Sequence, residues 1–266
     1  MASLISLIKP APYIPQIEDP EERKRLYKHF RTRNLYGMVV GYAIYYFVRK
    51  NFSMAMPVML QELGYTKTDF GAILTLFAIL YGIGKFVNGV LGDYTNARYL
   101  MAFGLLLSGV INFFFGMSSG IMAFGFFWLL NAWVQSLGMP ASVRLLTRWF
   151  SPTELGTIWG IQSTAHQIGG AGIMVFAGWL IPRYGWRFSF YIPAAIAILT
   201  SFWLINRLRD TPQSVGLPPI EKHRGETTEA DPDAGDTKPF MVIMKYHIFR
   251  NSLLWIVATA NIFVYV

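Results

Sequence analysis

A chain of 266 residues that is 53% hydrophobic and 16% aromatic, with 14% charged residues, falls well below the roughly one-quarter charge of soluble domains, which excludes an ordinary soluble fold. The lack of cysteine removes disulfide frameworks, thiolate nucleophiles and cysteine-ligated metals. The net charge of +8 would suit nucleic acid, but Arg23, Lys24, Arg25, Lys28, Arg31 and Arg33 crowd just ahead of the first apolar stretch, where the positive-inside rule accounts for them. No nucleic-acid partner is expected.

In chain order, residues 1–34 form a polar, proline-containing tail without the apolar core and cleavage site of a signal peptide. Six spans follow, at about 35–58, 70–91, 99–119, 121–147, 155–181 and 188–206, each near the ~20 apolar residues that carry a helix across about 30 Å of hydrocarbon. The outer loops hold only Lys67, Arg183 and Arg187 as basic residues, so the N-terminus is expected in the cytoplasm. Residues 207–251 read as a cytoplasmic linker. Its segment "GETTEADPDAGDTKP", 225 to 239, is acidic and lacks aromatics, so it buries too little surface to fold. From Ser252 a new apolar helix starts, and residues 253 to 266 rise only about 21 Å at 1.5 Å per residue. Six helices, a long polar linker and a fresh helix form the layout of a transporter built from two six-helix halves. The expected class is therefore an all-α membrane protein: a first six-helix half over 35–206, then the truncated start of helix seven over 252–266.

The charges inside the spans narrow the chemistry. Arg49, Lys50, Lys85, Arg144 and His166 lie there, and no Asp or Glu does. Four unpaired cations facing lipid would cost about 10–14 kcal/mol even on a lenient insertion scale, so they line a wet cavity, reach an interface or meet an anion. Neighbouring residues on a helix point about 100° apart. Arg49 shares its face with Tyr42, Tyr45, Tyr46, Phe52 and Ser53, which favours the cavity; Lys50 lies with Tyr46, Phe47 and Met54, which favours snorkelling. Lys85 reads either as a cavity residue or as a lysine snorkelling inward, and His166 either as a site residue or as one satisfied by a neighbouring helix. Arg144, after Pro140, reads as an interface or gating residue. An all-positive interior suits an anion: arginine offers phosphate a bidentate fork, lysine a point charge and histidine a titrating donor. Proton symport, which generally uses a carboxylate, fits less well. No enzyme, cofactor or metal site is expected.

On "GYAIYYFVRKNFSMAMP", "YGIGKFVNG", "TAHQIGG" and "RDTPQSVGLPP" the sequence resembles the organophosphate:phosphate antiporters of the major facilitator superfamily, the group of bacterial glycerol-3-phosphate and hexose-phosphate transporters. The resemblance extends from "KPAP" to "ANIFVYV", and "GVLGDYTNAR" at 89–98 is similar to the superfamily loop between spans two and three. It implies that Arg49 binds phosphate, that Lys85 and His166 adjoin the substrate, and that Tyr42 and Tyr46 line the same site. It also implies gating roles for Asp93, Arg98 and Arg144, and a second binding arginine from helix seven beyond Val266. The chain departs from the family at Gln162 and Ser163, where Trp-Asn is usual, at Gln167, and at Tyr94 and Leu155, where basic residues are usual. "RLLTRWFS" is closest to the hexose-phosphate branch, part of which resembles sensors that signal to a membrane histidine kinase. The resemblance thus implies exchange of a sugar phosphate for inorganic phosphate in the inner membrane. The alternatives are a sensor of the same fold and a proton-coupled carrier of a neutral solute.

Overall fold

The computed structural model describes residues 9–225 and 249–265. Helix α1 (Pro20–Leu63) runs unbroken for 44 residues, about 66 Å at 1.5 Å per residue. Its start follows from local chemistry: the Asp19 carboxylate accepts from Glu21 N at 3.0 Å, Pro20 fills the first turn, and Glu21 and Glu22 sit at the positive end of the dipole. It ends at Gly64, whose φ of 72° is the left-handed cap that glycine adopts without strain. The expected first span is thus the apolar part of a much longer helix.

Helix α2 (Lys67–Asp93) opens with a capping box between Thr66 and Asp69, and α3 (Ala97–Met117) with the Asn96 side chain accepting from Arg98 N at 3.1 Å. The expected fourth span is divided into α4 (Ile121–Gln135) and α5 (Gly138–Trp149). Pro140 explains the break, because it has no N–H to offer the Ser136 carbonyl four residues earlier. Helices α6 (Leu155–Tyr184) and α7 (Phe188–Arg207) follow. By length and composition five helices among the described residues could cross a membrane: α2, α3, the α4–α5 pair, α6 and α7. Helix α1 is not among them; Arg49, Lys50 and Asn51 interrupt its apolar stretch. No strand occurs among the described residues.

Helix α1 packs along α6 and α7, and α3 packs against α7 and α4. Close approaches are made at glycines. A Cβ on Gly169 would lie 2.3 Å from the Ala43 carbonyl oxygen, so α6 meets α1 backbone to backbone there. Tyr45 fits against Gly104 of α3 and Gly138 of α5, and its hydroxyl donates to Met101 O at 2.8 Å. Buried amides tie the helices together: Asn51 Nδ2 donates to Asn112 Oδ1 at 2.9 Å, and Asn112 and Asn131 each donate to Val48 O at 3.0 Å. Pairing these donors avoids the penalty of a buried N–H without an acceptor. One end of the bundle is dry and aromatic, built on Phe52, Phe70, Phe115, Phe124, Trp128 and Phe190. The other, around Trp149 and Phe150, is ringed by basic residues.

The linker expected from 207 to 251 is ordered in its first part. The Trp149 indole donates to Arg209 O at 2.9 Å, the Tyr27 hydroxyl bonds to Pro218 O, and Leu217 and Ile220 are buried. A 3-10 turn over Gln213–Val215 and a short α8 (Ile220–Arg224) complete this segment. Ile14 N and Ile17 N donate to Gln213 O and Gly216 O, so part of the tail packs against it. Leu217 and Ile220 supply the apolar contacts that "PQSVGLPPI" conceals among its prolines. The compact unit ends at Gly225; the expected linker from 226 to 248 lies outside the described residues. Helix α9 (Ser252–Tyr265) belongs to a second unit, its first turn capped by Asn251 Oδ1 accepting from Leu254 N at 3.3 Å.

Candidate functional site

Arg49, Tyr42 and Tyr46 project from α1, His166 from α6, and Lys85 with Tyr81 from α2. The Arg49 guanidinium lies between two phenol rings, 4.7 Å from the centroid of Tyr46 and 4.5 Å from that of Tyr81. The Lys85 amine lies 4.7 Å from the same Tyr81 ring. Tyr46 in turn presents an edge-to-face contact to His166 at 5.1 Å, and Tyr42 another at 4.9 Å. The result is a row in which nitrogen-bearing side chains and phenol rings alternate: His166, Tyr46, Arg49, Tyr81, Lys85. The rings supply attraction to cations at a depth where water is scarce.

Hydrogen bonds fix the middle of the row. Arg49 Nη2 donates to the Tyr81 hydroxyl at 2.8 Å, while Nε and Nη2 both reach Gln135 Oε1 at 3.2 Å. Gln135 is fully buried, and its Nε2 donates to Tyr45 O at 3.2 Å, so the amide cannot turn its nitrogen toward the arginine. Nη1 of Arg49 meets no acceptor among the described residues. No carboxylate pairs with Arg49, Lys85 or His166 among the described residues. Lys85 is exposed, as is Lys50 on the adjacent face of α1.

His166 Nδ1 lies 2.9 Å from Ser163 O on its own helix. With Nδ1 donating there, Nε2 is the nitrogen left for a ligand. One turn earlier Gln162 is 4% exposed, and neither its Nε2 nor its Oε1 has a partner. A buried amide with both ends empty is rare and costly.

The three residues expected to gate are not joined by their side chains. Arg144 Nη1 donates to the backbone carbonyls of Gly92, at 3.0 Å, and Asp93, and its Nε faces Asp210 Oδ1 at 3.7 Å. Among the described residues the Asp93 side chain makes no ion pair, and Arg98 turns away to Ile205 O and the ring of Tyr99. Asp210, which sequence reasoning did not single out, is the carboxylate at this level. It also accepts from Ala97 N at 2.9 Å and Ala11 N at 3.1 Å. A second acid, Glu154, accepts from Arg31 and, at 2.8 Å, from Arg224.

Residues 38–266 match the family model of the Major Facilitator Superfamily. The chain belongs to that superfamily. This major facilitator chain is 43% identical over 268 residues to a protein named probable hexose phosphate transport protein from Chlamydia pneumoniae, covering 97% of this chain and 59% of the relative. It is 38% identical to the membrane sensor protein UhpC of Salmonella typhimurium, over 99% of this chain and 60% of the relative. It is 37% identical to the glycerol-3-phosphate transporter of Bacillus subtilis, over 98% and 60%. The chain therefore spans about three-fifths of the length of these relatives. A crystal structure of a bacterial homologue of the human lysosomal transporter Spinster, inward-facing and unoccupied, shares the fold: TM-score 0.60, 19% identity, 73% of this chain and 47% of that one. As expected from the sequence, the architecture is that of an all-helical major facilitator N-terminal half.

Proposed function

We propose that the whole protein exchanges a sugar phosphate for inorganic phosphate across the inner membrane by alternating access, and that this chain supplies one wall of the site. The observation that carries the reading is the Arg49 guanidinium, gripped by Tyr81 and Gln135 with Nη1 left open and no carboxylate to neutralise it. Its charge attracts the phosphate, and its planar fork matches the oxygens. Lys85 adds a second charge beside Tyr81, and His166 offers Nε2. Tyr42 and Tyr46 shape the wall. The empty amide of Gln162 is suited to a hydroxyl of the ester, which would restore the bonds it lacks. Asp93, Arg98 and Arg144 act at the basic end, where Arg144 ties α5 to the end of α2. The clustering of basic residues at that end supports a cytoplasmic N-terminus.

The names of the relatives support a phosphate ester as the substrate. The similarity to a protein named as a sensor favours a second reading, in which ester occupancy is passed to a membrane histidine kinase without bulk flux. Counterflow separates them. Vesicles containing the full-length protein and loaded with labelled phosphate, at zero proton gradient, are challenged with a panel of hexose and glycerol phosphates. Ester-dependent phosphate efflux is expected. Ester binding without efflux would favour the sensor, and uptake that vanishes under the clamp would favour a proton-coupled carrier.

A further inference from the structure

At the basic end of the bundle, away from the Arg49 row, four guanidiniums come together from four places in the chain: Arg33 of α1, Arg98 at the start of α3, Arg207 at the end of α7, and Arg209 just beyond it. Three of them converge on the last carbonyls of α7. Arg33 reaches Asn206 O, Arg98 reaches Ile205 O, and Arg209 donates to Asn206 O at 2.8 Å and Leu208 O at 2.7 Å. A helix C-terminus carries only about half a negative charge, far short of four positive ones. The nearby carboxylate, Asp210, is already occupied by Arg144, Ala97 N and Ala11 N. Among the described residues no acid pairs with any of the four arginines.

The cluster shows the strain of this imbalance. Burial lowers the pKa of Arg33 below the ordinary arginine value, and the neighbouring Arg207 and Arg98 lower it further. Arg209 is lowered in the same way, by burial and then by Arg98 and Arg33. The Nε donors of Arg33 and Arg207 are buried without an acceptor. An anion is the missing component.

The surroundings say which kind. Arg98 stacks over Tyr99 at 5.0 Å and Arg207 over Trp203 at 5.9 Å, and Tyr36 meets Trp203 at 5.9 Å. Such amphipathic rings are typical of the membrane–water boundary. From them the surface turns apolar along both helices. Val40, one turn past Tyr36 on α1, is 41% exposed; Leu199, one turn before Trp203 on α7, is 70% exposed and Phe202 beside Trp203 is 58% exposed. A cavity of about 370 Å³ lined by Arg25, Lys28, His29 and Thr32 shares Arg33 and Tyr36 with the cluster, which extends the positive field on its polar side. Arg33 lies sixteen positions before Arg49, about 24 Å along α1, so the two groups of cations are distinct.

We propose that the Arg33, Arg98, Arg207 and Arg209 cluster binds the phosphate of an anionic phospholipid, whose acyl chains lie along the Val40 face of α1 and the Leu199 face of α7. A free phosphate would satisfy the guanidiniums but would have no use for the apolar strips that lead away from them. The lipid ties α1 at Arg33 to the start of α3 and the end of α7, and the proposal does not depend on the transport reading.

The full-length protein carrying this sequence, purified in mild detergent, is mixed with equimolar phosphatidylglycerol and phosphatidylcholine, and the retained lipid is identified by native mass spectrometry. Wild type is expected to retain phosphatidylglycerol in excess by at least about tenfold, and Arg33→Gln with Arg207→Gln to reduce that retention by about twenty-five-fold, at roughly fivefold per basic residue. Arg183→Gln, outside the cluster, is expected to retain it fully. Equal retention of the two lipids by wild type would overturn the proposal without recourse to any variant, as would undiminished retention by a folded double variant. Inorganic phosphate alone, in lipid-free detergent, is the remaining arm. If it stabilises wild type but not the double variant while phosphatidylglycerol adds nothing, the ligand is a free anion and the lipid assignment fails.

Discussion

Arg49 and Arg144 are both held between helices, yet their company is opposite. Arg144 faces a carboxylate, Asp210, whose side chain is fully buried, and its Nη1 donates to two backbone carbonyls. Arg49 meets phenols and an amide, and keeps Nη1 free. Neutralised cations work as latches within the fold, whereas a cation given neutral supports retains its field for a ligand. The same contrast separates Arg31 and Arg224, both on Glu154, from the unneutralised cluster around Arg33.

If this division is right, breaking a latch should cost stability. Asp210→Asn leaves Arg144 without its counter-charge and weakens the bonds to Ala97 N and Ala11 N, and removing one partner of a buried pair costs about 3 kcal/mol. A large fall in thermal midpoint is expected, with ester affinity per folded molecule retained. Loss of affinity with an unchanged midpoint would place Asp210 in the site instead.

The next effect acts on geometry. Gly169→Val sets a side chain against the Ala43 carbonyl, so α6 must move away from α1 and take His166 from Tyr42 and Tyr46. Overpacking of this kind costs about 1–3 kcal/mol, and ester binding should weaken together with stability. A variant with normal stability and normal binding would show that the close approach is dispensable.

Gln162→Leu sharpens the comparison by reversing the sign. Removing a buried amide whose two ends lack partners relieves up to about 1–3 kcal/mol, so the midpoint should rise. Discrimination between a sugar phosphate and inorganic phosphate should fall, because the ester loses a hydroxyl contact that phosphate never made. An unchanged preference in competition assays would remove Gln162 from the ester side of the site.

The smallest effect is a pH dependence. Burial works to raise the pKa of Glu154, but hydrogen bonds from Arg31 and Ser151, with the charges of Arg31 and Arg224, hold it below the ordinary carboxylate value. A carboxyl depressed on folding contributes stability above its unfolded pKa of about 4.5, and the contribution is lost as pH falls through the lower folded value. In this partly exposed setting it amounts to less than about 1 kcal/mol. Wild type should therefore lose stability below pH ~4.5 more steeply than Glu154→Gln; parallel acid melts would mean that the latch is weak.

How much of this was legible in the sequence depends on the range of each interaction. The apolar runs placed the helices because spanning hydrocarbon needs about twenty such residues in succession, and the basic stretch before residue 34 is equally local. The cations of the site could be found because a charge in an apolar run is conspicuous. Their supports could not: Tyr81 and Gln135 belong to other helices, thirty-two and eighty-six positions from Arg49, and neutral polar residues stand out less. Asp210 sits in "RDTPQSVGLPP", where proline and polarity suggest a loop, and its partner is sixty-six positions away in α5. The break after Gln135 had a visible cause in Pro140, but the run remains apolar across it, and hydropathy alone joins the two pieces.

The most direct measurement is the binding of a labelled hexose phosphate to the full-length protein with Arg49→Lys, beside wild type, with the folded fraction established for each. Lysine keeps the charge and loses the planar fork that Tyr81 and Gln135 hold in place. Affinity is expected to fall by about a hundredfold, some 2.7 kcal/mol, while the thermal midpoint without ligand stays near that of wild type because no carboxylate loses its partner. Normal affinity in Arg49→Lys would contradict the account, since a charge anywhere on that face would then suffice and the arrangement around Arg49 would have no role in recognition.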